Sequence, residues 1–321
     1  MMDIVAAELR ARAKAKEPLS RYTTARVGGP ADLLIEARAT DELLSLVRHA
    51  DAIGMPCHIL GSGANVLVSD LGVRGLVIIN RAREIRWKTL DGNARVETDS
   101  GVALITLARE CVERGLGGLE WAIGVPGTVG GAVVGNAGAH GSDVNANLAM
   151  ARILRRGAAA PEWWTKRQLG FGYRASALKR YHSSERPVVL TALFDLKQDN
   201  RANLERRAGE YNDRRRASQP PGATMGSMFK NPSGDFAGRL IEAAGLKGHR
   251  QGQAQISEKH ANFFVNTGNA SASDIKALID LAQTEVLKQF AVRLELEVEL
   301  LGDWGGGPAL SGADAPLEIE N

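Results

Sequence analysis

Cysteine is nearly absent from the 321-residue chain: Cys57 and Cys111 stand far apart, with no CxxC and no His/Cys cluster near either. That excludes a disulfide framework and a structural zinc site, and both are expected to be reduced core residues. Aromatics are scarce as well, 5 Trp, 4 Tyr and 7 Phe, which leaves no aromatic-interleaved groove for a single nucleic-acid strand. A surplus of one charge is also lacking, since 40 Lys+Arg stand against 37 Asp+Glu, a net of +3. So small an excess does not argue for a polyanionic partner or a membrane surface. No stretch approaches about 18 uninterrupted apolar residues, and the N-terminal MMDIVAAELRARAKAK spaces its apolar residues helically, without the apolar core of a secretory signal. A cytoplasmic protein is expected. The fingerprints GxGxxG, GxxxxGK[ST], HExxH and GxSxG are missing too.

Glycine, by contrast, is in excess: 36 residues, about 11% against an average usage nearer 7%. Ten of them fall within residues 115–141 and five more within 302–312. Two Gly-rich turns result, LGSGANVLVSD (60–70), which lies between apparent strands, and IGVPGTVGGAVVGNAGAHG (123–141). A backbone without side chains can approach a diphosphate closely, and consecutive N–H groups in such turns make anion-binding concavities. Either loop alone reads equally well as a tight turn at a sheet corner. The pair, with Asn65 and Asn136 as local hydrogen-bonders, points to a dinucleotide laid across one domain.

The length and the 44% of apolar residues fit two or three domains, each with its own core. Residues 32–80 read as a small α/β unit, with a strand DLLIEA, a helix from Thr40, and strands around CHIL, VLVSD and GLVII. In 84–99 an Asp91-Gly92 turn between alternating runs predicts a hairpin. VALITLARECVERG (102–115) reads as an amphipathic helix closed by Gly115, followed by a weak strand ARILRR and a firm one, VVLTALFDLK (188–197). Beyond residue 200 come a charged helix (about 200–217), the break SQPPGA and a short helix around GRLIEAAGL. A long helix then runs from Ser273, with Ile275, Leu278, Ile279, Ala282, Val286 and Leu287 on one stripe. VRLELEVELL alternates strictly and predicts a half-buried strand with Val292, Leu294, Leu296 and Val298 on one face and Arg293, Glu295, Glu297 and Glu299 on the other.

Eight segments occur in the order TTARVGGPADLL, LGSGANVLVSD, EWAIGVPGTVGGAVVGNAGAHG, FGYRAS, GSMFKNP, AGRLIEAAGLKG, ISEKHANFFVN and LELEVELLG. Over about residues 20–302 the chain thereby resembles the UDP-N-acetylenolpyruvoylglucosamine reductase (UDP-N-acetylmuramate dehydrogenase) family. These are flavoenzymes of peptidoglycan precursor synthesis, on which cell shape and division depend. The resemblance implies an α+β fold, with a two-part FAD-binding domain of the vanillyl-alcohol-oxidase (PCMH) type over 20–82 and 83–199 and a smaller α/β substrate domain over 200–302. An N-terminal helix over 1–19 and a disordered tail over 303–321 complete the expected division.

What the resemblance implies for chemistry is non-covalent FAD, NADPH as co-substrate, and UDP-N-acetylglucosamine enolpyruvate reduced to UDP-N-acetylmuramate. Hydride passes from the reduced flavin to the β-carbon. Ser227, in GSMFKNP, matches the donor of the proton to the α-carbon. Arg174, in FGYRAS, matches the arginine facing the substrate carboxylate, where bidentate donors meet a charge that grows in the transition state. Glu297, the second Glu of LELEV, matches the catalytic glutamate, with Glu295 and Glu299 as its natural controls. The implied cofactor residues are Gly61, Ser62, Gly63, Ala64 and Asn65 in the first loop and Pro126, Gly127, Thr128, Gly130, Gly131, Asn136, Ala137 and Gly138 in the second. Tyr173, Arg215, Lys230, Asn231 and His260 are the implied substrate-binding residues, Arg215 through its spacing to Gln219-Pro220. No metal, nucleic acid or membrane partner is implied, and a monomer is expected.

Departures from the family pattern are Ala64 where Ser is usual, His140 where Tyr is common, and Val134-Gly135 in place of bulkier residues. The short spacing between Tyr173 and Val188 resembles the family's second type, which lacks the tyrosine-bearing substrate loop of the first. Residues 303–321 have no counterpart. Two other readings stand beside this one. An oxidase of the same fold tethers its flavin through His or Cys, yet Cys57 and Cys111 lie outside both glycine loops while His140 lies within one. A non-catalytic UDP-sugar-binding module would not need an intact Arg/Ser/Glu set.

Overall fold

The structure, a computed structural model, describes residues 2–90 and 93–305. The first unit runs α1 (Met2–Arg12), β1 (Lys14–Pro18), β2 (Pro30–Ala37), α2 (Thr40–Ala52), β3 (Cys57–Leu60), β4 (Val66–Val68) and β5 (Val73–Asn80). Four of these strands form one sheet in the order β1-β2-β5-β3. β5, flanked in parallel by β2 and β3, is buried along most of its length. Its near-continuous apolar run VRGLVIIN is what a parallel strand covered on both faces requires. Only Met2–Arg12 of the expected helix over 1–19 is helical, because Lys14–Pro18 pairs antiparallel with β2 instead.

The second unit contains β6 (Ile85–Leu90), β7 (Asn93–Asp99), α3 (Leu104–Glu113), β8 (Leu116–Gly117), α4 (Val129–Gly135), β9 (Gly138–Ala139), β10 (Ser142–Asp143), α5 (Val144–Asn147), β11 (Leu148–Leu154), β12 (Glu162–Thr165), α6 (Lys166–Leu169) and β13 (Val188–Gln198). Its antiparallel sheet has the order β12-β11-β13-β7-β6, with β8 on the end of β13. β6 and β7 form the expected hairpin, whose Asp91-Gly92 turn lies outside the described residues. α3 packs Leu104, Leu107, Ala108, Cys111 and Val112 against this sheet, and Gly115 (φ +68°) ends the helix as expected.

The third unit has α7 (Arg201–Ser218), α8 (Ala237–Ala243), the small sheet β14 (Arg250–Gln251), β15 (Ala254–Ile256) and β16 (Phe264–Asn266), α9 (Ala272–Phe290) and β17 (Glu299–Leu301). α7 starts where the Asn200 side chain accepts from the N–H groups of Ala202 and Asn203, and α9 starts in a Ser271/Asp274 capping box. The α9 stripe Ile275, Leu278, Ile279, Ala282 and Val286 is buried, but Leu287 is exposed, one position past the packed face.

The expected closing strand is much shorter than its alternation suggests. Residues 291–298 touch the 228–230 segment through a single bridge, Phe229 to Leu296. Only Glu299–Leu301 then forms a ladder, in parallel with β4 of the first unit. The segment passes between two units, so no one partner strand runs beside it for its length. The tail expected to be disordered lies outside the described residues from position 306 onward.

Candidate functional site

The two glycine loops meet. A Cβ at Gly61 would stand 2.3 Å from Thr128 Oγ1, and one at Gly63 (φ +61°) 2.2 Å from the Tyr22 carbonyl oxygen, so a side chain fits at neither. With Asn136 excepted, every residue named for the cofactor in either loop lines one cavity of about 670 Å³. That volume falls within the roughly 300–1,000 Å³ typical of small-molecule sites. Not every backbone donor in the second loop is free for an anion, since Val129 N–H donates to Val102 O and Gly130 N–H to Ser100 O. Asn136 has a left-handed backbone (φ +44°), and its amide donates to Asp143 and to Gly172 O while accepting from Asn145 N–H. Its work is to hold the loop in shape.

Arg174, Ser227 and Glu297 come from three distant segments and line this same cavity. Arg174 adopts φ +52°, a conformation unfavourable for a side-chain-bearing residue that persists only when its surroundings enforce it. Here the enforcing contacts are Nη2 donating to Gly138 O (2.6 Å) and Nε donating to Glu297 Oε1 (2.9 Å). The Glu297 backbone is fixed at both ends: its N–H donates to Met228 O, and its carbonyl accepts from the Asn65 side chain. Burial raises the Glu297 pKa, opposed by Arg174, then Lys179 and Lys230. Ser227 sits at a bridge to Phe263, one residue before Met228, whose N–H donates to Asn262 O.

The three glutamates of the closing segment do not share one environment, contrary to the face assignment from alternation. Glu297 pairs with Arg174. Glu299 also lines the cavity, but Arg186 holds it through two bonds of 3.0 and 2.8 Å. Glu295 is exposed and paired with Lys230.

Among the implied substrate residues, Arg215 lines the main cavity and donates to Gln219. Tyr173, Lys230 and Asn231 instead line a second, smaller cavity of about 180 Å³ with Pro232, Arg293 and Glu295. The Arg174 guanidinium lies 5.3 Å from the Tyr173 ring centre, so the two cavities adjoin across that pair. Asn231 Oδ1 also accepts from Ala237 N–H at the start of α8. His260 lines neither cavity: its Nδ1 accepts from Asn262 N–H, and its ring packs on Phe263.

Residues 31–156 match the FAD binding domain model, and residues 218–301 match UDP-N-acetylenolpyruvoylglucosamine reductase, C-terminal domain. UDP-N-acetylenolpyruvoylglucosamine reductase 2 of Symbiobacterium thermophilum is 45% identical over 300 residues, 92% of this chain and 94% of that protein. The reductase of Rubrobacter xylanophilus is 45% identical over 294 residues, 91% of this chain and 96% of that protein. The chain belongs to the UDP-N-acetylenolpyruvoylglucosamine reductase family. The crystal structure of the family's enzyme from Thermus caldophilus superposes with a TM-score of 0.76 at 34% identity, covering 90% of this chain and 99% of that one.

The residues present fit FAD, the cofactor of this family. Ser62 Oγ in the first loop is buried without a hydrogen-bond partner among the described residues, and the Cβ positions of Gly61 and Gly63 are already filled by neighbouring atoms. Such a loop presents backbone and one spare hydroxyl to a diphosphate.

Other cavity residues had no signal in the sequence. His58, on β3, is 7% exposed and faces Ser183 Oγ at 3.0 Å; burial above all, with His182 nearby, pulls its pKa down to about 4. Arg186 and Glu299 pair across 113 positions, and Lys179 lies five residues beyond Arg174 in an ordinary LKR run. Only the fold brings these groups together.

Proposed function

We propose that the protein is an FAD-dependent oxidoreductase that reduces UDP-N-acetylglucosamine enolpyruvate to UDP-N-acetylmuramate, with NADPH as the reductant, in peptidoglycan precursor synthesis. One observation carries this: both glycine loops and Arg174, Ser227 and Glu297 line one cavity in a chain of this family. FAD, held without a covalent bond, supplies the two-electron chemistry between NADPH and the β-carbon of the enolpyruvyl group.

The chain's own residues do the rest. Arg174 spends Nε on Glu297 and Nη2 on Gly138, and its remaining N–H groups are the donors for the substrate carboxylate, where charge accumulates as the β-carbon is reduced. Glu297 fixes the guanidinium's orientation. The Ser227 hydroxyl gives its proton to the α-carbon; a hydroxyl of ordinary acidity serves there because the carbon it faces is strongly basic and position does most of the work. Tyr173, Lys230 and Asn231 line the adjoining cavity and are read as contacts of the nucleotide-sugar portion, with Arg215 on the main cavity.

In this reading the FAD-binding part spans 20–82 and 83–199 and the substrate-binding part 200–302, with residues 299–301 returning to pair with the first unit. All of these groups come from one chain, so a monomer suffices, and the two free, buried cysteines suit the reducing cytoplasm.

The test separates the half-reactions anaerobically. Ser227→Ala is expected to leave reduction of the flavin by NADPH near the wild-type rate and to slow reoxidation by the enolpyruvyl substrate by about 10²- to 10⁴-fold, the usual worth of a positioned proton donor. Equal loss in both half-reactions would make Ser227 a structural residue and refute the assignment.

A further inference from the structure

Four cations stand around Glu297 and Glu299, and three are engaged: Arg174 holds Glu297, Arg186 holds Glu299 and Lys230 holds Glu295. Lys179 is the fourth. It lines the cavity, yet among the described residues it makes neither a salt bridge nor a hydrogen bond. Burial pulls its pKa down, with Glu299 and Glu297 opposing and Lys230 and Arg186 adding to the fall. A charge held away from water without a partner is costly, and an anion arriving beside it recovers that cost.

The fold shows what anchors this charge. Lys179 sits in the short 3-10 turn Ala177–Arg180, tied to α4 by the Ser176 hydroxyl, which donates to Val134 O at 2.7 Å. Its Cε lies 4.0 Å from where a Cβ on Gly135 would stand, so the stem runs along the last turn of α4. The same helix begins directly after the cofactor loop 126–128. Lys179 is therefore anchored beside the helix that follows the cofactor loop, while Ser227 and Glu297, from the third unit, line the same cavity.

We propose that Lys179 is the cation that stabilises the extra negative charge carried by the cofactor after two-electron reduction. The inference rests on reading this cavity as the FAD site. Lys179 makes the reduced form easier to reach and adds little to binding of the oxidised form.

The measurement is the flavin midpoint potential of the holoenzyme, equilibrated anaerobically with reference dyes in the absence of the UDP-linked substrate. Lys179→Gln and, as a second neutral variant, Lys179→Met are each expected to weaken binding of reduced relative to oxidised FAD about tenfold, which for a two-electron couple is a fall of about 30 mV. Lys179→Arg should keep the wild-type potential. A wild-type potential in the neutral variants, with a raised KM for the enolpyruvyl substrate, would assign the charge to the substrate carboxylate and overturn the proposal. An unchanged potential with unchanged KM overturns it equally. Failure of the wild-type protein to bind FAD at all would instead refute the cofactor reading of the cavity.

Discussion

Replacing His58 by Asn removes one titrating ring from the cavity wall and keeps a group able to meet Ser183, so it isolates what burial does to that ring. In the folded protein the His58 pKa is pushed down to about 4, by burial first and then by His182, Arg156 and Arg186, with Glu299 opposing. In the unfolded chain the ring titrates near 6.5. Between those two values the unfolded chain binds a proton that the folded protein refuses. Stability from this residue is therefore complete above about pH 6.5 and is lost as pH falls toward 4. At 1.36 kcal/mol per pH unit the full loss is about 3 kcal/mol, of which about 2–3 kcal/mol appears by pH 4.5. The ring is 7% exposed, so little of this is screened away. The assay is denaturant unfolding of both proteins from pH 7.5 to 4.5 at one fixed FAD concentration, because a ligand that binds only the folded state adds its own stabilisation. The wild-type curve should fall more steeply, and its advantage over His58→Asn should shrink by about 2–3 kcal/mol across that range. Other titrating groups, Glu297 among them, cancel in the difference. A difference that stays flat from pH 7 to 4.5 would mean that the ring charges freely in the folded protein, and the argument from burial would fail.

Two further outcomes follow from the site's geometry. Gly61→Ala places a Cβ where Thr128 Oγ1 already lies, forcing the two loops apart at about 1–3 kcal/mol; the purified variant should carry much less flavin, and full FAD occupancy by absorbance would show that the loops need not touch. Glu297→Gln should impair reoxidation of the reduced flavin by the enolpyruvyl substrate while Glu295→Gln does not, since Glu295 is exposed and paired with Lys230 outside the main cavity; stopped-flow traces in which both variants behave alike would refute the assignment of Glu297.

The two glycine loops were legible in the sequence because what glycine permits is local: a tight approach at Gly61 and a left-handed turn at Gly63 depend on the missing Cβ itself. Helices showed for the same reason, their caps and stripes being written within one or two turns, as at Ser271 with Asp274 and along Ile275 to Val286. The closing strand is shorter than its alternation suggests because alternation records which side chains are covered, not which strand covers them. Leu294 and Val298 are buried as the alternation requires, but the cover changes from the 228–230 segment to β4 part-way along. Asn136 carries an ordinary loop signature that serves equally for a ligand contact and for the internal bracing it provides. Lys179 and the Arg186–Glu299 pair left no trace, since their meaning lies in distance across the fold.

Asn65 shows how these levels join. From its place in LGSGANVL it reads as a cofactor hydrogen-bonder, yet its side-chain amide donates to the Glu297 carbonyl and its own carbonyl accepts from Glu299 N–H. β4 begins at the next residue and runs parallel with β17. The cofactor loop and the segment bearing Glu297 are thus one hydrogen-bonded joint. Two more groups hold the third unit to the N-terminal part of the chain: Asp70 caps α9 through Ala272 and Ser273, and Asn266 donates to Ala25 O. The second unit meets this joint through Arg174, which grips Gly138 of the second glycine loop and Glu297 of the third unit. A displacement of either glycine loop must then move the Arg174–Glu297 pair with it, and this is why two side chains 123 positions apart are held to hydrogen-bond distance in one cavity.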